Sequence, residues 1–448
     1  MDMDRYIEPI YERLNDIPLF DAHTHMDAGH IGARGLHDVL LYHMVVSDLY
    51  CAGCPDGARL SEDPSEDEVA FRMERALPYL RYIRNTSCYW GVRIILRDLY
   101  GWDEPVDAGN WRKLHDTIRE RSKDPGWSRE ILRKANIKRT CTELWRGRGG
   151  IADDVFQYSL EWAFFTRCQW GQFDTALLEL ENAWGQDEPG APLPVTLDKN
   201  ALNLKKRIES VDDVKAAVRH YLDKIPYDRI ISTASHLSTD ISYARASEAE
   251  MEEALAKRDI AGARERDVYA NYINDLFLGG VEAGEKDITM QFSLGAEPLP
   301  HETGSKLRTE TAFELASLFE SRPGIRFSLF LSSAHQNQTL CTICRELPNV
   351  SLAGYWWHNF FPHSIRNVMS ERLDMLAANK QVGFFSDAYC AEWAYAKSII
   401  VKKQLASVLA DRAAQGQYTV GEAAEVARLI LNETPRAALG MRESEGIA

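Results

Sequence analysis

Long apolar runs are missing from this chain of 448 residues: no stretch approaches the roughly 20 consecutive apolar residues that a membrane-spanning helix requires. Met1 to Asp16 is dense in charge and holds no apolar h-region, so the expected location is the cytoplasm. Cysteine is scarce too. Eight in this length cannot staple a small disulfide scaffold and suit a reducing compartment. The two pairs with CxxC spacing read as a turn, Cys51 and Cys54 around Gly53, and as helix interior, Cys341 and Cys344, rather than as a zinc site. Positive charge is in deficit, 52 basic against 67 acidic residues, and the net charge of -15 repels both nucleic-acid phosphates and anionic lipids. Neither is an expected partner. A small anion remains admissible, because a few local arginines or a metal ion set the sign of a pocket. Low-complexity tracts and short-period repeats are absent as well.

What is present is an alternation of short β-branched or aromatic runs with long amphipathic segments, the pattern of βα units. Eight candidate strands follow: Leu19 to His25, Ile137 to Glu143, Leu193 to Asp198, Arg229 to Ala234, Ile288 to Leu294, Ile325 to Leu331, Val350 to Tyr355 and Val382 to Asp387. They predict an α/β fold, a (β/α)8 barrel of the TIM type. The first gap is far longer than an ordinary βα connection, so residues 36–135 are expected to form a helical insertion subdomain over the catalytic face, and 1–35 with 136–448 the barrel. A second charged, helical excursion spans Arg245 to Gly284.

The first strand reads Leu19-Phe20-Asp21-Ala22-His23-Thr24-His25, and alternation sends His23 and His25 to one face at its C-terminal end. Two imidazoles on one strand supply half of a transition-metal site; two hydrogen-bonded histidines in a barrel mouth are the plainer alternative. The last strand, Val382-Gly383-Phe384-Phe385-Ser386-Asp387, is apolar and ends in a carboxylate. In a closed barrel it adjoins the first strand, so Asp387 can face the two histidines. A carboxylate ending a buried strand needs a partner, a metal or a helix to cap.

The HxH and the closing aspartate together resemble the amidohydrolase superfamily, and most of the chain is similar to the uronate isomerase (glucuronate isomerase) family. The similarity runs through Ile17 to His25, Cys141-Thr142-Glu143, Pro194 to Leu204, Gln291 to Ala296, Tyr355-Trp356-Trp357-His358-Asn359 and Ser386-Asp387. The double tryptophan and the long insertion carry the match to the isomerases. The resemblance implies one divalent metal ion held by His23, His25 and Asp387, zinc first and manganese, iron or nickel as alternatives. It also implies an active-site role for His43, a matching histidine at His236, and conversion of an aldose uronate such as glucuronate or galacturonate into its ketose. Aldose to ketose isomerisation needs a base at the carbon beside a carbonyl and an electrophile for the enediolate. Asp387 is the candidate base or ligand, His43 the group that polarises or protonates the sugar oxygen, and Tyr389 a candidate proton donor.

The family pattern is interrupted at Met44, Ser47, Tyr50, Leu197, Ser235, Ser293 and Tyr389, and four of these replace arginines. The uronate carboxylate then needs another cation, because a carboxylate is held best by a bidentate guanidinium. Arg146 and Arg148, after the second strand, are the candidates, with Arg93 and Arg97 on the insertion behind them; Trp356 or Trp357 is expected to line the pocket. The expected partner is a small sugar acid, with a homo-oligomer left open. The rival activity is a metal-dependent hydrolase using an activated water. No lysine stands on the fourth strand and no histidine on the fifth or sixth, which disfavours a binuclear hydrolase.

Overall fold

The computed structural model describes residues 4–55, 60, 64–147, 155–161, 173–185, 206–237, 242–294, 309–331, 334–354 and 361–441. Eight parallel strands are hydrogen-bonded in sequence order, β1 (Leu19–Asp21), β2 (Ile137–Glu143), β3 (Phe156–Glu161), β4 (Ser232–Leu237), β5 (Thr289–Leu294), β6 (Arg326–Leu331), β7 (Val350–Ala353) and β8 (Gln381–Val382). Beyond β1 and β8 the chains stay side by side: Ala22 N donates to Phe384 O, Asp387 N to His23 O and His25 N to Ala388 O. These bonds close the sheet, and the protein is a (β/α)8 barrel.

The third strand corrects the sequence reading. Between β2 and β4 lies Phe156–Glu161, paired Thr140 to Phe156 on one side and Ser159 to Ser232 on the other, so the place expected for Leu193 to Asp198 is taken. The expected segment falls outside the described residues. The match at Pro194 to Leu204 loses its strand, and Leu197 no longer marks a missing barrel arginine. β1 and β8 are also shorter than expected, because the residues carrying His23, His25 and Asp387 leave the regular ladder to bond across the closure.

Between β1 and β2 stand the helices Leu36–Leu40, His43–Cys51, Glu66–Ala76, Ser87–Tyr100, Trp111–Ser122 and Pro125–Ala135. Their apolar residues join one cluster with β1, the residues after β8 and the helix Ala391–Ala414, while a second cluster fills the side around β4 to β7. Ala391–Ala414 is buried on nearly every face, Trp393, Ile400, Leu405 and Leu409 among them, which is the burial pattern of a core helix. It packs against the helices Asp4–Asn15, Ser87–Tyr100, Pro125–Ala135 and Pro362–Met375. Among the described residues no helix is long and apolar enough to cross a membrane.

Two lysines are sealed into this helix, Lys397 and Lys402. Among the described residues Lys402 donates to the Ala135 carbonyl, at 3.4 Å, and burial pulls its pKa down to about 8. The folded-state value lies below the unfolded one near 10.4, so the unfolded chain binds more protons between about pH 8 and 10, and stability contributed here rises with pH across that window. Below pH 8 the penalty is present in full. Lys402→Met is therefore expected to stabilise the protein by roughly 1–3 kcal/mol at pH 7, and urea midpoints should show the gain shrinking at pH 10. A gain equal at both pH values would mean that packing rather than charge is responsible.

Candidate metal centre

The site grows out of the closure between β1 and β8. Asp21, two residues ahead of His23, points into the closure, where its carboxylate accepts from Ser386 N at 2.7 Å, Ser386 Oγ at 2.6 Å and Thr140 Oγ1 at 3.1 Å. Burial pushes its pKa up to about 6 despite those donors. This knot ties β1, β2 and the end of β8 together directly beneath the histidines, and Gln291 of β5 adds a bond across the interior to Ala22 O at 2.9 Å.

His23, His25 and Asp387 converge above it. One ligand atom from each, two imidazole nitrogens and a carboxylate oxygen, lie within 4.8 Å of one another. Asp387 Oδ1 stands 3.1 Å from His25 Nε2 and 3.8 Å from His23 Nε2. The other nitrogen of His25, Nδ1, meets Glu143 Oε1, and the second oxygen of Glu143 accepts from Arg146 Nε at 2.9 Å. The chain Arg146, Glu143, His25 fixes the imidazole so that Nε2 faces the cluster, the arrangement in which a carboxylate orients a metal-binding histidine.

The electrostatics follow from burial and neighbours. Burial lowers His23 to about 4, leaving it neutral with a lone pair to offer at neutral pH. Burial acts on His25 in the same sense, but Glu143, Tyr389 and Asp387 outweigh it and raise the ring well above its ordinary range, so a metal at Nε2 would take the place of the proton that the two carboxylates otherwise hold there. Burial raises Asp387 and Glu143, yet both end far below the ordinary carboxylate range, Asp387 through His25 and Lys397 and Glu143, at about 2, through His25 and Arg146. Two anionic carboxylates around buried imidazoles favour a cation, and two nitrogens with one oxygen suit a divalent transition metal. The donor set therefore fits the metal that the sequence suggested.

Around the cluster the walls are aromatic. Tyr389 stacks on His25 with ring centroids 4.9 Å apart, and the Arg146 guanidinium lies 5.5 Å from the Tyr389 centroid and 4.1 Å from that of Trp145. Phe330 and Phe385 flank His23 at 5.3 and 6.1 Å. Gly354, at the end of β7, has a φ of +39° and backs onto the Phe385 ring so closely that a Cβ there would collide with it.

The remaining sequence candidates divide. Tyr389 and Arg146 are brought to the cluster. His43 opens the helix His43–Cys51 and His236 lies near the end of β4, with neither side chain among those described. Arg148, Trp356 and Trp357 lie outside the described residues. Arg93 donates to Asp103 O and Arg97 pairs with Asp98, so the structure does not bring these guanidiniums to the cluster. Cys341 and Cys344 are buried in the helix Asn337–Glu346, as the helical reading of that segment requires. Three site residues escaped the sequence reading: Glu143, Tyr42 and Lys397. A carboxylate at the C-terminal end of a barrel strand was the signal at Glu143, as at Asp387.

Neither a family model nor a curated protein matches the sequence. Solved structures do match its fold over the whole length. A glucuronate isomerase from Caulobacter crescentus aligns with 100% of this chain and 96% of its own at a TM-score of 0.78 and 15% identity. A uronate isomerase from Thermotoga maritima aligns over 97% of both chains at 0.76 and 13% identity. A protein from Lactobacillus casei provisionally assigned as a metal-dependent hydrolase aligns over 96% of this chain and 97% of its own at 0.57 and 11% identity. At identities this low the likeness shows the shared barrel fold, and the reaction has to be argued from the site.

Proposed function

We propose that this protein is a metal-dependent isomerase that converts the aldose form of a hexuronate into its ketose. The observation that carries the reading is the convergence of His23, His25 and Asp387 at the closure of a barrel shared, end to end, with uronate and glucuronate isomerases. His23, His25 and Asp387 would hold one divalent ion, zinc being the choice that two imidazoles and a carboxylate suit. Once bound, that ion supplies a Lewis acid for the sugar oxygens.

The protein's own groups do the rest. Asp387, kept ionised by its neighbours, would take the proton from carbon 2 and return it at carbon 1. Tyr389, whose phenol burial keeps protonated and whose ring covers one face of His25, would give a hydrogen bond to a sugar oxygen. Arg146 is the cation for the substrate carboxylate, and His43 and His236 complete the polar wall. Residues 36–135 serve as the cover of the mouth, contributing Tyr42 to the Asp387 backbone.

The alternative is hydrolysis, supported by the Lactobacillus casei likeness, and here Asp387 would activate a water. Incubating metal-loaded protein with hexuronates in deuterated water and following carbon 2 by NMR separates the two. Isomerisation is expected to yield a ketose carrying deuterium at carbon 1 and, through reversal, recovered aldose carrying it at carbon 2. Turnover of an amide or ester panel, with no exchange on any sugar acid, would establish the hydrolase instead.

A further inference from the structure

We propose that Lys397 is the positioning residue of Asp387: its buried ammonium pins the backbone carbonyls at the end of the eighth strand and so aims the carboxylate at the two histidines. The inference rests on reading His23, His25 and Asp387 as the metal-holding set. Asp387 has a φ of +50°, one of three non-glycine residues with positive φ among those described, and the other two, Asn136 and Glu285, lie just past helix ends. A left-handed aspartate is strained and persists only where its surroundings insist on it.

The surroundings here act on both of its peptide groups. Asp387 N donates to His23 O at 3.0 Å, tying the residue to the strand that carries the histidines. Asp387 O accepts twice, from Tyr42 Oη at 2.6 Å and from Lys397 Nζ at 3.1 Å. The same ammonium donates to Ser386 O and, at 2.9 Å, to Tyr42 Oη. Two successive carbonyls and a phenol around one point match the three tetrahedral donors of an ammonium, a set that a planar guanidinium or a single amide cannot reproduce. Relaxation of Asp387 to an extended conformation would turn its carbonyl off this clamp and swing its carboxylate from His25.

A charge in the core is a stability cost, and the same helix shows what that cost looks like without a site: Lys402, five residues on, has one distant carbonyl. That contrast supplies the control. Zinc affinity is measured by chelator competition at one pH, beside a thermal midpoint, for the full-length protein and for Asp387→Ala, Lys397→Met, Tyr42→Phe and Lys402→Met. Asp387→Ala is expected to abolish tight zinc binding, Lys397→Met to weaken it roughly 10–100-fold, and Tyr42→Phe to weaken it by a smaller factor. Lys402→Met should bind zinc as the parent does, although it changes stability.

If Asp387→Ala loses zinc while Lys397→Met keeps parental affinity, Lys397 is only a core residue and the inference is overturned. If Asp387→Ala itself keeps zinc, the metal-site reading fails first, and that outcome is distinguishable. Should Lys397→Met fail to fold, Tyr42→Phe decides, since it removes a donor from Asp387 O while leaving the ring stacked on Trp393 at 4.6 Å. Parental affinity in that variant would then end the proposal.

Discussion

Alanine at both His23 and His25 is expected to strip the protein of its divalent ion and to reduce turnover by about 10³-fold or more, some 4 kcal/mol of lost electrophilic assistance, while the barrel stays folded. The fold should survive because no strong orphan is left behind. Glu143 loses His25 but keeps Arg146 at 2.9 Å, and Asp387 keeps both its backbone clamp and the nearby Lys397 charge. His23 is buried and neutral between Phe330 and Phe385, so its loss is chiefly a packing defect. The Asp21 knot beneath, which joins the first, second and last strands, contains neither histidine. Metal analysis after dialysis, with a melting curve on the same sample, checks the result. Full metal content in the double variant would remove the site from this part of the barrel.

How far the sequence reaches depends on what kind of signal a residue leaves. Strands five, six and seven are mostly apolar runs between helices and strand two a run rich in Ile and Thr, and their observed ends fall within one or two residues of the expected ones. The third strand fails for a physical reason. Phe156-Gln157-Tyr158-Ser159-Leu160-Glu161 carries the apolar-polar alternation of a strand but follows strand two closely in sequence, and the sequence reading passed over it; its Phe156, Ser159 and Leu160 are buried between neighbours. Leu193 to Asp198 looked the better strand by composition alone, and the sheet shows that the pairing is satisfied earlier. The HxH and Asp387 were legible because polar residues at the ends of apolar strands announce themselves. Lys397 was not, since a single lysine in a helix normally projects to water, and only the packing of Ala391–Ala414 reveals that the face carrying Lys397 is sealed. The sequence likewise could not show that Tyr389 lies flat on His25, because stacking is decided by the turn that follows Asp387.

Arg146→Met is the variant that asks what the substrate is. With arginine absent at Ser47, Tyr50 and Tyr389, the guanidinium at the exit of β2 is the cation that the structure places beside the cluster, over the rings of Trp145 and Tyr389. Its Nε is committed to Glu143, which leaves the terminal nitrogens to meet a carboxylate and sets the direction from which they do so. Loss of a charged hydrogen bond to substrate is worth about 1.5–3 kcal/mol, so kcat/KM on a hexuronate should fall roughly 10–150-fold, mostly through KM. Metal content should not move, because His25 still has Glu143 on its Nδ1. Glu143→Gln separates the two duties of that carboxylate: it weakens the hold on His25, and metal affinity with it, while leaving the Arg146 charge in place. If Arg146→Met leaves the kinetics on every hexuronate unchanged, the carboxylate is held elsewhere, and a substrate bearing no carboxylate at all becomes the better match to a mouth lined by Tyr389, Trp145 and Phe330. A parallel assay on neutral aldoses reads that outcome directly, since a neutral substrate would be indifferent to the guanidinium while remaining sensitive to the aromatic ring stacked on His25.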